Sequence, residues 1–123
     1  MSHGYPAVSR VTGTVGTETA QAITVALQLY GPAEDQVASQ ASMVMLVLTT
    51  DAAGQALETA TSAMAAGTDG TLLLLDTGVT YAFGISEADG DLDVVVTDTG
   101  TSTIYLQVWS GGVILNTFTL PFA

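Results

Sequence analysis

From Asp91 to the last residue the chain reads DLDVVVTDTGTSTIYLQVWSGGVILNTFTLPFA, and apolar and polar residues alternate along it with a period of two. That is the period of a strand with one face on a core, because successive Cβ atoms point to opposite sides of the pleat. Leu92, Val94 and Val96 fall on one face of the first run, with Asp91, Asp93, Val95 and Thr97 on the other. After Asp98-Thr99-Gly100 the pattern resumes with Ile104, Leu106 and Val108 inward and Thr103, Tyr105, Gln107 and Trp109 outward. Ser110-Gly111-Gly112 supplies the positive φ that a tight hairpin needs, and the final run carries Ile114, Phe118, Leu120 and Phe122 on one face. The expectation is a three-stranded antiparallel meander, and it places the chain in the all-β class.

The preceding segments fit that class. Ile23, Val25, Leu27 and Leu29 alternate with Thr24, Ala26, Gln28 and Tyr30 until Gly31-Pro32 stops the run. Ala33 to Gln40 is polar and reads as a loop over one end of the fold. Met43-Val44-Met45-Leu46-Val47-Leu48 is continuously apolar, so both faces of this strand must be covered, by a second sheet and a loop or by another subunit. Thr50 to Gly54 is a turn. The Ala-rich stretch Gln55 to Ala66 reads as an extended crossing rather than a short helix, because Thr59, Thr61 and Ser62 weaken the helix. Leu72 to Leu75 is again too apolar for a one-sided strand, and beyond Asp76-Thr77-Gly78 the residues Val79, Tyr81, Phe83 and Ile85 alternate with Thr80, Ala82, Gly84 and Ser86. These runs give seven to eight strands, spaced as in an antiparallel immunoglobulin-like β-sandwich over residues 21–123. Residues 1–20 are rich in Gly, Ser, Thr and Val without a sustained period, and read as an extended N-terminal arm. Such an arm is either a disordered tail or a segment that orders against an acidic partner.

At 123 residues there is room for one domain with its own core. Only 11% of the residues are charged, and with twelve acidic side chains against one Arg the net charge is −11. A body so acidic repels phosphate backbones, which argues against nucleic acid as a partner. The chain has no cysteine, so packing or assembly must stabilise it without disulfides. MSHGYPAVSR lacks a basic segment followed by an apolar one, and Met43 to Leu48 falls far short of a membrane span. The expectation is a soluble product of the cytoplasm with no membrane partner.

Chemistry is hard to place. Asp89, Asp91 and Asp93 match the first three ligand positions of an EF-hand loop, but Val94 stands where the sharp-turn Gly belongs and Gly100 where the bidentate Glu belongs. A looser calcium site among these loops competes with a plain hairpin turn whose carboxylates face solvent, and the turn is the reading adopted, with no metal and no cofactor. Catalysis lacks its parts: His3 is the lone histidine, Lys and Cys are absent, and no Ser lies in a Gly-x-Ser-x-Gly elbow. Tyr105 and Trp109 lie opposite the inward face of their strand. Either they cover the outside of the sheet or they form a contact patch for another subunit.

Glu87-Ala88-Asp89-Gly90-Asp91-Leu92-Asp93-Val94-Val95-Val96-Thr97-Asp98-Thr99-Gly100, then Thr103 to Val108, and the closing Phe118-Thr119-Leu120-Pro121-Phe122-Ala123 carry a resemblance, echoed in Ile23 to Leu29 and Gly67 to Leu75. Over Ala22 to Ala123 the sequence resembles small immunoglobulin-like β-sandwich structural proteins of tailed bacteriophages, and more distantly bacterial immunoglobulin-like repeats. The resemblance implies a non-enzymatic virion protein made in the host cytoplasm: a capsid decoration, or cement, subunit. It would bind the major capsid protein on the outer capsid surface as a trimer or other symmetric oligomer. The contacts expected are His3, Tyr5, Val8, Arg10 and Val11 in the arm, with Tyr105 and Trp109 on the body. A tail or head-fibre component is the alternative of the same class, and a cell-surface module recognising carbohydrate or protein is the alternative of another.

Overall fold

The computed structural model describes residues 8–31, 42–50, 62–74, 81–101 and 103–123. The expectations for His3 and Tyr5, for the polar loop at Ala33 to Gln40 and for the turns at 51–54 and 76–78 lie outside the described residues. Nine strands follow in order: β1 (Arg10–Val15), β2 (Ala22–Tyr30), β3 (Met43–Thr49), β4 (Ser62–Ala66), β5 (Thr71–Leu74), β6 (Tyr81–Ile85), β7 (Asp91–Asp98), β8 (Thr103–Ser110) and β9 (Val113–Pro121). They form two sheets, β1-β2-β7-β4 and β5-β6-β3-β8-β9, with every pairing antiparallel. Strands 1, 2, 7 and 4 correspond to the A-B-E-D sheet of an immunoglobulin sandwich and strands 3, 8 and 9 to its C-F-G sheet. The added pair β5 and β6 falls between the D and E equivalents in sequence and extends the second sheet beside β3.

The core follows from the alternation. On the first sheet Ile23 stands opposite Val96, Val25 opposite Val94 and Leu27 opposite Leu92. On the second, Leu46 stands between Ala82 and Val108, and Leu48 pairs with Leu106, which in turn pairs with Phe118. All of these side chains are buried. Each large aliphatic side chain so enclosed stabilises the fold by roughly 1.5–3 kcal/mol relative to exposure. The inward faces expected for residues 23–29, 92–96 and 104–108 are the ones observed.

Four expectations are corrected. First, the arm does not extend to residue 20. Arg10–Val15 pairs along its whole length with β2, and Val8 and Val11 are part of the core, Val11 with 1% of its surface exposed. The period of two was hidden there by Gly13, whose lack of a side chain admits Phe118: a Cβ on Gly13 would lie 2.9 Å from Phe118 Cε1. Second, the described residues hold nine strands, because β1 and the short β4 both join the first sheet. Third, β5 is an edge strand covered on one side only: Leu72 packs toward the core and Leu73 is 56% exposed. Fourth, Ile114 leaves the face of Phe118, Leu120 and Phe122. A bulge between Val108 and Trp109 shifts the register so that Ile114 pairs with Trp109, and Ile114 is turned out to solvent at 41% exposure.

In β6 the alternation resolves in favour of the small residues. Ala82 and Gly84 face the core, while Tyr81, Phe83 and Ile85 turn outward. The reason is room, since a Cβ on Gly84 would meet Leu92 Cδ2 at 2.7 Å and Leu46 Cδ1 at 3.0 Å. Larger side chains here would overpack the space between the sheets.

The β1–β2 hairpin turns through Ala20 and Gln21 at φ 53° and 66°, closed by the reciprocal backbone hydrogen bonds of Thr19 and Ala22. This is the geometry that Asn-Gly satisfies without strain. Replacing Ala20→Asn together with Gln21→Gly should raise stability by about 1 kcal/mol in denaturant unfolding. Val11→Asp should lower it by several kcal/mol or prevent folding, as burial of an unpaired charge requires; a dispensable arm would leave it unchanged.

Candidate functional site

None of the five strands of the β5-β6-β3-β8-β9 sheet contains a charged residue, in a chain of net charge −11. On the outer face of that sheet the register brings five side chains into one row: Leu73 opposite Phe83, Phe83 opposite Met45, Met45 opposite Trp109, and Trp109 opposite Ile114. Four strand spacings of about 4.8 Å make the row roughly 19 Å long. Met43 and Ile85 pair in the neighbouring row, and Val113 lies at the start of β9 with 59% of its surface exposed. Between Met43, Met45, Phe83, Trp109 and the Gly111-Gly112 turn the face sinks into a depression of about 200 Å³.

One pair of hydrogen-bonding side chains on this face is turned inward on itself. Trp109 Nε1 donates to Gln107 Oε1 at 3.0 Å, and Gln107, although it points away from the inter-sheet core, is buried. The indole N–H is thereby satisfied within the sheet, and the ring contributes its apolar surface to the row.

The expected contact residues divide. Tyr105 and Trp109 lie on the outer face as anticipated, Trp109 lining the depression. Val8 and Val11 are core residues. Arg10 sits on the other sheet, in register with Tyr30, with its guanidinium 3.8 Å from the centre of the Tyr30 ring. Leu73, Phe83, Met45 and Ile114 were not singled out from the sequence, though the two apolar runs that contain Met45 and Leu73 carried the signal.

A second cluster lies at the end of the sandwich where β6 finishes and β5 and β7 begin. Carboxylate oxygens of Asp69, Glu87 and Asp91 lie within 4.8 Å of one another. The backbone holds them there: Glu87 N–H donates to Asp91 O at 2.9 Å, Asp93 N–H to Asp69 O at 2.8 Å, and Asp91 N–H to Asp89 Oδ1 at 3.1 Å. Glu87 has its pKa raised by the nearby Asp69 charge, then by burial and by Asp89 and Asp91. Asp91 is raised by burial first and then by Asp89 and Asp69. Oxygen donors of this kind suit Ca²⁺ or Mg²⁺, but three carboxylates are half or less of the six to eight ligands that Ca²⁺ takes. The sequence placed Asp89, Asp91 and Asp93 together and missed Asp69, which arrives from the β4–β5 connection.

Both shifted groups are carboxyls whose protons are held more tightly in the folded state than in the unfolded chain. Their contribution to stability is present below the ordinary carboxylate range and is lost as pH rises through their raised values. Asp69→Asn should therefore raise the melting temperature at neutral pH and have little effect in acid. A loss of stability at neutral pH would show that Asp69 is held by an attraction instead.

No family model matches the chain, and no curated protein matches it. Among solved structures it is similar to the reeler domain of human F-spondin, with a TM-score of 0.59 at 11% identity over 96% of each chain. It is also similar to part of the β-glucuronidase of Parabacteroides merdae, with a TM-score of 0.50 at 12% identity, covering 97% of this chain and 12% of that one. At such identities the likeness is one of fold: an antiparallel β-sandwich.

Proposed function

We propose that this chain is a non-enzymatic building block of a larger protein assembly, and that it works by covering the outer face of its five-stranded sheet with another subunit. The observation that carries this reading is the uncharged row Leu73–Phe83–Met45–Trp109–Ile114, which crosses all five strands. Exposed apolar area of this kind is a cost in water unless something removes it. Trp109, fixed by Gln107 beside a depression, has the character of an interface anchor.

The form of assembly favoured is the one that the sequence resemblance implies: a virion, with this chain as a capsid decoration subunit cementing neighbouring major capsid proteins on the outer surface. A tail or head-fibre position would use the same face. Attachment rests on the sheet face and not on the segment from Val8 to Val15, which the sandwich itself consumes. Cementing suits a modest contact, because many copies on a lattice add their individual contributions through effective concentration.

The test is co-sedimentation of the recombinant chain with particles of the phage or prophage that encodes it. Wild type should bind, and Leu73→Asp and Trp109→Ala should bind at least tenfold more weakly, as loss of an interface anchor predicts. Leu73 is exposed, so Leu73→Asp should retain the wild-type melting temperature. Undiminished binding by that variant, or no binding by wild type, overturns the reading.

A further inference from the structure

We infer that the outer face of the five-stranded sheet is the docking surface for a second copy of this chain, the two sheets stacking face to face about a two-fold axis. The inference rests on the reading above that this face is covered, and names its occupant off the particle, a reversible pair that gives way when the same face attaches.

Charge selects the occupant. Two copies at −11 each repel over most of their surfaces, and the outer face of the other sheet carries Arg10, Asp91 and Asp93. The five-stranded sheet is the layer on which two copies can meet without bringing carboxylate against carboxylate, since its strands hold none. A basic partner would find nothing on this face to pair with; the complementary surface is an equally uncharged and apolar one, and the same face of another copy is that surface.

Charge also selects the orientation. Asp69, Glu87 and Asp91 lie just beyond one end of this face, two residues past Ile85 and two before Thr71 in the cases of Glu87 and Asp69. A two-fold axis along the strands would set the two acidic ends side by side. An axis along the row sets them at opposite ends of the pair, runs the strands of the two copies antiparallel, and packs each row on its own mate. Val47, Thr49 and Gln107 on this face are already buried, so about three residues on each of five strands remain, on the order of 250 Å² per copy. That is below the ~800 Å² per partner of a standard stable interface, so the pair should be reversible and favoured by salt, which screens the repulsion between the bodies.

Analytical ultracentrifugation of the full chain over a concentration series tests this. Wild type should pass from monomer to dimer, at lower concentration in higher salt. Leu73→Asp and Ile114→Asp should weaken the dimer at least tenfold without lowering the melting temperature, whereas Thr24→Asp, exposed on the other sheet, should not. A wild type that stays monomeric at every concentration and salt, or equal dissociation by Thr24→Asp, overturns the inference. Monomeric wild type together with particle binding that Leu73→Asp abolishes would leave the assembly role standing and remove only the second copy. Because the chain has no cysteine, Ile114→Cys gives a unique thiol: a short bifunctional thiol cross-linker should join it to itself. Cross-linking only in a mixture of Ile114→Cys with Leu73→Cys overturns the proposed axis.

Discussion

The closeness with which Leu92 of one sheet meets Leu46 of the other governs much of this protein. Both side chains are fully buried, and both lie against Gly84, where even a methyl group would intrude. β6 therefore has to present its small residues inward, and its alternation then obliges Tyr81, Phe83 and Ile85 to face away from the core. The apolar outer face is in this sense a by-product of tight packing between the sheets. One side of β6 could be accommodated only by Ala and Gly, and the bulk was displaced to the side where a partner can use it. The bulge in β9 adds to the same surface by rotating Ile114 outward beside Trp109.

The two sheets thus have different relations to water. The first is clothed in Thr, Ala and carboxylates, with Val11, Ile23, Leu92 and their neighbours shut inside. The second is uncharged along every strand, apolar inside, and carries its apolar row outside among Thr, Tyr and Gln. At the end of the molecule the carboxylates of Asp69, Glu87 and Asp91 crowd one another, and the pKa values of Glu87 and Asp91 are raised in consequence.

Much of the architecture was legible in the sequence because period-two alternation is local. Ile23 to Leu29, Leu92 to Val96 and Ile104 to Val108 announce both strand and inward face without help from the rest of the chain. What was not legible depended on distant partners. Nothing near Gly13 reveals that Phe118 fills the space above it, so β1 passed for an arm. Nothing within Tyr81 to Ile85 says which side faces Leu92, and the bulge that turns Ile114 is a property of the pairing between β8 and β9 rather than of either strand. The candidate surface was half visible: Trp109 and Tyr105 stood out by residue type, while Leu73, Phe83 and Met45 join them only through cross-strand register. Asp69 joins the carboxylates of the β6–β7 turn for the same reason.

The first and last strands are neighbours across one flank of the sandwich, held there partly by side chains: Asn116 Nδ2 donates to Val11 O at 2.8 Å, and the Ala123 N–H donates to Glu18 Oε1 at 2.8 Å. Such a seam behaves mechanically unlike a strand ladder. Tension drawn between those two strands would load a few isolated bonds in succession, so the flank would unzip at low force while the buried leucines still held the two layers together. A sandwich built this way could yield along one line and close again without losing its fold.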